Sequence, residues 1–199
     1  KKAFKTNGED FYKQLITEKK FRLAVAVLAQ ISSDDAQAFT VGKISNSDFE
    51  SEIKTQDAGV FEWKIDSGAQ PQIALNDQTK HGGKRSLWMI FNSSDGKGFR
   101  AISQTVAVES GKTYDFETFY KSELKTSSTV RWEIADAADG KILASTEAIS
   151  ANADWTVLRT KFSVSAPTEA VIIRLARANC SSQICPISGR VWFDDFSLR

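Results

Sequence analysis

The sequence predicts a mainly β protein: a jelly-roll antiparallel β-sandwich over residues 45–199, preceded by a short α-helical hairpin over residues 1–42. Three observations carry this. Beyond residue 45 the chain breaks into short runs of alternating polarity, separated by Gly, Asn, Asp and Ser. No helical period interrupts those runs, which argues for two stacked sheets rather than an α/β fold. Before residue 42, apolar residues recur at spacings of three and four, one face of a helix.

The helical part comes first. Gly8-Glu9-Asp10 opens a first helix with Phe11 and Leu15 on one stripe and Ile16 beside it. A basic turn at Lys19-Lys20 leads to a second, with Phe21, Ala24, Leu28 and Ile31 on one face. Two short helices with one apolar stripe each form an αα-hairpin that needs a neighbour to cover it. Residues 32–45 read as a connector.

Eleven strands are expected, at 47–50, 61–65, 72–75, 86–92, 100–108, 113–121, 129–136, 142–148, 155–164, 170–178 and 190–198. In "TYDFETFYK", Tyr114, Phe116, Thr118 and Tyr120 share one face, and Asp115, Glu117, Phe119 and Lys121 the other. Val130, Trp132 and Ile134 oppose Arg131 and Glu133. Val171, Ile173 and Leu175 oppose Ile172 and Arg174. Leu87, Met89 and Phe91 oppose Trp88 and Ile90. The apolar sets meet between the sheets, because burying that area drives folding. The other set mixes Trp88 and Phe119 with Glu117, Arg131, Glu133 and Arg174. Such a surface suits a sugar: rings stack on C–H groups and charged groups bond hydroxyls. A ladder of cross-strand ion pairs, with the aromatics covered by a loop or by the hairpin, is the other reading.

Composition narrows the function. Basic and acidic residues number 26 and 25, a formal +1, so nothing favours nucleic acid. No stretch approaches the roughly 20 apolar residues of a membrane span. The chain starts Lys1-Lys2-Ala3, without Met, as a fragment or processed form would. Cys180 and Cys185 have four residues between them, across a Ser/Pro-containing loop. They read either as a short disulfide, which implies an oxidising compartment, or as two reduced thiols. The single histidine, His81, lies in "KHGGK" with no nucleophile motif to serve. Glu117 and Glu133, the candidate carboxylate pair for glycoside hydrolysis, each have arginines nearby that keep them ionised, leaving no acid. No catalytic constellation emerges.

The closing "GRVWFDDFSLR" sets two aspartates in an apolar strand. Strict alternation puts Asp194 with Trp192 and Phe196, and Asp195 with Phe193.

Ordered motifs resemble a known family. "NSDFE" (46–50), "FEWKI" (61–65), "HGGKRSLWMIF" (81–91), "SQTVAVESGKTYDFETFYK" (103–121), "RWEIADAADGKILA" (131–144), "DWTVLRTKFSV" (154–164) and "GRVWFDDFSL" (189–198) follow one another as in carbohydrate-binding β-sandwich modules of the cellulose- and xylan-binding kind, within the galactose-binding-like superfamily. The resemblance covers about residues 45–199. The hairpin resembles the end of a tetratricopeptide array: Phe21, Ala24 and Leu28 match its second helix, while Tyr12 replaces the small residue of the first. "CPISGRVWFDDFSL" is most like the sandwich that follows such helices in some bacterial envelope proteins. The resemblance implies a noncatalytic module for polysaccharide in a secreted, periplasmic or envelope protein, with Trp88 and Phe119 in the sugar-stacking role. The alternative is a structural or protein-interaction domain that caps a helical repeat and uses the N-terminal helices for a protein partner. A third is an accessory piece of a glycan-processing enzyme. The resemblance also implies a structural Ca2+ near the chain ends, on Glu50 and on Asp195 or Asp194. The residues leave two other readings open: an aspartate bonded to backbone amides or to Arg190, or a bulge that shifts the alternation.

Overall fold

The computed structural model describes residues 2–32, 39–95, 98–178 and 184–199. Parts of the connector, of the 94–98 loop and of the Cys180–Cys185 loop, Cys180 included, lie outside the described residues.

Two helices precede ten strands. They are α1 (Lys2–Thr17), α2 (Phe21–Ile31), β1 (Lys64–Ile65), β2 (Gln72–Asn76), β3 (Ser86–Ser93), β4 (Ile102–Ala107), β5 (Thr113–Leu124), β6 (Val130–Asp136), β7 (Ile142–Ser145), β8 (Asn152–Ser163), β9 (Ala170–Arg177) and β10 (Ile187–Leu198). They form two five-stranded sheets, ordered β1-β4-β9-β6-β7 and β2-β3-β10-β5-β8. The expected sandwich is therefore present, with every strand pair antiparallel.

Side-chain alternation places the core between the sheets as expected. Tyr114, Phe116 and Tyr120 of β5, Val130, Trp132 and Ile134 of β6, and Val171, Ile173 and Leu175 of β9 are all buried in one cluster. Trp132 is fully buried at its centre. Its ring packs at 6.0 Å from Trp63, 5.3 Å from Phe193 and 4.9 Å from Phe196, near edge-to-face with the last two. Gly189 is required in β10: its φ is +119°, and a Cβ there would lie 2.2 Å from the Glu123 carbonyl oxygen.

Two expectations fail for local reasons. Residues 45–48 form a turn, and no strand covers 47–50. The Asn46 side chain brackets Ser51, accepting from its N–H at 2.9 Å and donating to its carbonyl at 2.8 Å. Asn46 and Phe49 both have positive φ. This turn drives Phe49 into the core, 5.3 Å from Trp63 and 5.5 Å from Phe196, and leaves Glu50 outside. At the chain end, strict alternation is broken by a bulge. The register with β5 shifts between Asp194 and Ser197, and Asp195 has φ +49°. Asp194 stays on the face of Trp192. Phe196 moves inward beside Phe193, at 6.4 Å between rings.

The hairpin packs on the sandwich. Leu15, Phe21, Ala24 and Val25 form a second apolar cluster with Phe61, Ala107 and Ala170. Ala107 and Ala170 are cross-strand partners on β4 and β9, on the outward face of the first sheet. Their small side chains let the helices approach the sheet closely. Polar ties fix the position: Lys19 Nζ donates to the Ala138 carbonyl at 2.6 Å, and Arg22 pairs with Glu169 at 3.2 Å. Phe11, expected on the buried stripe, is 45% exposed. Tyr12 packs in its place, 6.4 Å from Phe61.

Candidate functional site

The residues of mixed character divide between the two outer faces of the sandwich. On the first sheet, register puts Lys64, Ser103, Arg174, Glu133 and Ser145 in one row across all five strands. Residues directly opposite share a face, so this row faces outward. At 4.7–4.9 Å per strand it runs about 19 Å. Thr105, Ile172 and Ala135 form the next row, and Ala107 and Ala170 lie beyond it under the helices. The hairpin thus walls one end of this face.

Glu133 organises the row. Arg131 donates from Nε at 3.2 Å and Nη2 at 2.9 Å to Glu133 Oε1. Arg174 donates from Nε at 3.1 Å and Nη2 at 2.9 Å to Oε2. The Glu133 side chain is 7% exposed, against 26% for Arg131 and 41% for Arg174. Burial alone would raise the Glu133 pKa, but the bonds from both guanidiniums outweigh it and hold the carboxyl below the ordinary glutamate range.

Trp88, Phe119 and Glu117 lie on the outer face of the second sheet, the opposite side of the molecule. Trp88 is the cross-strand partner of Trp192, and their rings stack at 6.5 Å. Among the described residues, the two indole N–H groups have no hydrogen-bond partner. His81 caps Phe119, stacked at 3.9 Å with the rings 13° apart, and meets Trp155 edge-on at 5.5 Å. Around them runs the ladder of cross-strand ion pairs that the sequence left open: Asp115 with Lys161 at 3.3 Å and Glu117 with Arg159 at 2.5 Å, both in register. Lys121 pairs with Asp154 at 2.7 Å. Glu117 and Glu133 stand on different sheets, so they do not flank one scissile bond. His81, Trp155 and Trp192 were not expected in this cluster. The side-by-side glycines after His81 were the available signal.

Those glycines let the 81–85 loop thread between the chain-end carboxylates. A Cβ on Gly82 would lie 2.7 Å from Asp195 Oδ2, and one on Gly83 (φ +52°) 2.3 Å from Glu50 Oε1. Glu50 Oε1 accepts from the backbone N–H of Lys84 at 2.5 Å and of Arg85 at 3.0 Å, and these bonds lower its pKa. Arg85 also engages the Glu50 carbonyl and the Glu52 carboxylate. Asp194 is fully buried. Its Oδ2 accepts from the N–H of His81 at 2.9 Å and Gly82 at 3.1 Å, and its Oδ1 from Asp195 N–H at 2.8 Å. His81 Nδ1 is 2.6 Å from Asp195 Oδ2 and carries the hydrogen, since a carboxylate only accepts. Among the described residues, no three such side chains converge as metal ligands. Calcium wants six to eight oxygens. In this arrangement the carboxylates of Glu50, Asp194 and Asp195 all accept from N–H donors.

Burial pushes the Asp194 pKa up to about 6, against the amides that bond its ionised form. A free aspartate titrates near 3.9. The folded state therefore takes up its proton first as pH falls. Stability from this group rises as pH drops from about 7 to about 4, by roughly 2–3 kcal/mol in all. Glu133 acts oppositely, because its lowered pKa makes its contribution fade below about pH 4. Denaturant unfolding between pH 8 and pH 3.5 should thus give maximum stability between about pH 4 and pH 5. Asp194→Asn should remove the rise between pH 7 and pH 5. A variant that keeps the full rise would refute this assignment.

With this geometry in place, similarity to known proteins is informative. A family model described as "Carbohydrate binding domain" matches residues 41–181. Solved structures with similar folds include TmCBM61 in complex with β-1,4-galactotriose. It is 14% identical, with a TM-score of 0.53, over 77% of this chain and 94% of that one. A CBM4 structure is 15% identical, with a TM-score of 0.55, over 78% of this chain and 97% of the other. The CBM22-1–GH10 modules of Clostridium thermocellum endo-1,4-β-D-xylanase 10B, complexed with xylohexaose, are 13% identical. There the TM-score is 0.53, over 80% of this chain and 28% of the other. At such identities the likeness is one of fold. No curated protein matches the chain. Among the described residues, no helix is long and apolar enough to cross a membrane.

Proposed function

The chain belongs to the carbohydrate binding domain family, and from that premise we propose that it is a noncatalytic module holding a polysaccharide on the outer face of its first sheet. The observation that carries this is the polar row Lys64, Ser103, Arg174, Glu133 and Ser145, which crosses all five strands beside the wall made by the hairpin. A chain laid along it crosses the strands and meets a side chain about every 4.8 Å. Glu133 fixes both guanidiniums, so little side-chain entropy is lost on binding. The second face offers less. Trp192 is buried, Phe119 is already stacked under His81, and the charges are paired in a ladder. We place the module in a secreted or cell-envelope setting, where polysaccharide ligands are found.

The test is affinity electrophoresis and calorimetry against a panel of galactans, xylans, glucans and uronate-containing polysaccharides. Ser103→Trp, which blocks the row beside Arg174 and leaves the residues of the Glu133 clamp unchanged, should weaken binding tenfold or more, on the order of 1.4 kcal/mol. Trp88→Ala and Phe119→Ala should leave affinity within about twofold. None of the five tryptophans faces the row, so binding should leave tryptophan fluorescence unchanged. Loss of binding in the Trp88 or Phe119 variant, with Ser103→Trp unaffected, would move the site to the other face.

A further inference from the structure

We propose that the preferred ligand is an acidic polysaccharide whose uronic-acid carboxylates are taken by Arg131 and Arg174. This rests on the reading of the first sheet as the glycan face and adds the ligand's charge.

The argument is one of unspent hydrogen-bonding capacity. A carboxylate has about four acceptor sites and a guanidinium five N–H donors. Glu133 receives four N–H donors, two from each arginine. Its acceptor capacity is therefore used. Each arginine spends only its Nε and one Nη2 hydrogen, so the outer edge carrying Nη1 is left over. No other protein acceptor meets either guanidinium among the described residues. Lys64, at the far end of the row, is exposed and adds only donors. The centre of the face thus offers donors without matching acceptors, apart from the hydroxyls of Ser103, Thr105 and Ser145.

A neutral sugar hydroxyl donates as well as accepts, so it is half-matched by such a surface. A carboxylate only accepts, and its planar pair of oxygens fits the edge of a guanidinium bidentately. Charge agrees with this. Two arginines against one glutamate leave an excess positive charge at the centre, with partial desolvation to strengthen its pull. Glu147, two residues beyond Ser145 and beside Arg131, and Asp66, two residues beyond Lys64, are exposed, and among the described residues neither makes an ion pair with Arg131 or Arg174. They border the centre without neutralising it at contact distance.

Calorimetry with the full chain tests this. The probes are a galacturonic acid hexamer, the same hexamer with its carboxyls methyl-esterified, and neutral xylohexaose, each at low and high salt. The acid hexamer should bind about tenfold or more tighter than its ester, because charge-assisted bonds are the strong ones. High salt should narrow that ratio. Arg174→Gln and Arg131→Gln should each cut the acid-to-ester ratio severalfold, with melting curves confirming a folded chain. Equal affinity for acid and ester overturns the proposal, as does a ratio that neither arginine variant changes. If neutral xylohexaose binds and Ser103→Trp abolishes it, the glycan face stands and only the charge preference falls. If none of the three probes binds, the charge preference falls, and the polysaccharide panel above decides the face.

Discussion

Trp132→Ala is expected to destabilise the protein by about 3–5 kcal/mol, the range for removing a large aromatic side chain from a packed core. Trp132 is fully buried and touches aromatic rings from three directions: Trp63 before β1, Phe116 on β5, and Phe193 and Phe196 on β10. It therefore joins both sheets and the segment that enters the fold. The cavity left behind cannot close without moving the strands that flank it, which is why the loss belongs at the upper part of the usual range. Its indole N–H has no partner among the described residues, so no hydrogen bond to them is lost to enlarge that cost. Urea unfolding should show a lower midpoint with a similar slope. A loss under about 1 kcal/mol would mean that the two layers do not meet at this residue.

Glu133→Ala is the second large effect, expected to cost about 3 kcal/mol and to abolish glycan binding. The carboxylate is almost fully buried, and it pairs with two guanidiniums on the inner strands β6 and β9. Removing it leaves like charges facing each other. Breaking a buried pair from one side costs about 3–5 kcal/mol, here reduced because both arginines reach water. Glu117→Ala gives the contrast. Its partner Arg159 is 68% exposed, so the loss should stay below about 1 kcal/mol, with binding unchanged. Unfolding curves and calorimetry on both variants check the pair. Equal losses for the two would contradict the difference in burial on which the site assignment depends.

Much of the fold could be read from the sequence because strand side chains alternate. "TYDFETFYK" and "VRWEI" place Phe116 and Trp132 inside without further information, and both are buried. Alternation separates inside from outside. It does not say which of two outsides. The charged and aromatic residues that looked like one surface therefore belong to two, because β6 and β9 join one sheet while β3 and β5 join the other. That partition depends on pairings between strands far apart in the chain, such as β10 entering between β3 and β5. Local irregularities were equally hidden. Asn46 and Phe49 adopt positive φ in a stretch that alternates like a strand, and Asp195 does so within a real one. The two aspartates that looked anomalous in "GRVWFDDFSLR" mark that bulge. One is buried against the amides of the 81–85 loop, and the other turns outward to His81.

The hairpin shows the same limit. Its stripe predicted a covering neighbour, and Ala107 and Ala170 provide one on the outward face of β4 and β9. Small residues on an exposed sheet face are a weak signal alone. They became meaningful once paired in register.

The most direct test of the central claim is an amide-shift titration of the 15N-labelled chain with the tightest-binding oligosaccharide of the panel. The account predicts that the perturbed amides cluster on Ser103, Thr105, Arg131, Glu133, Ser145 and Arg174, while Trp88, Phe119, Trp155 and Trp192 stay still. Shifts gathered around Trp88 and Phe119, with the first sheet silent, would contradict it.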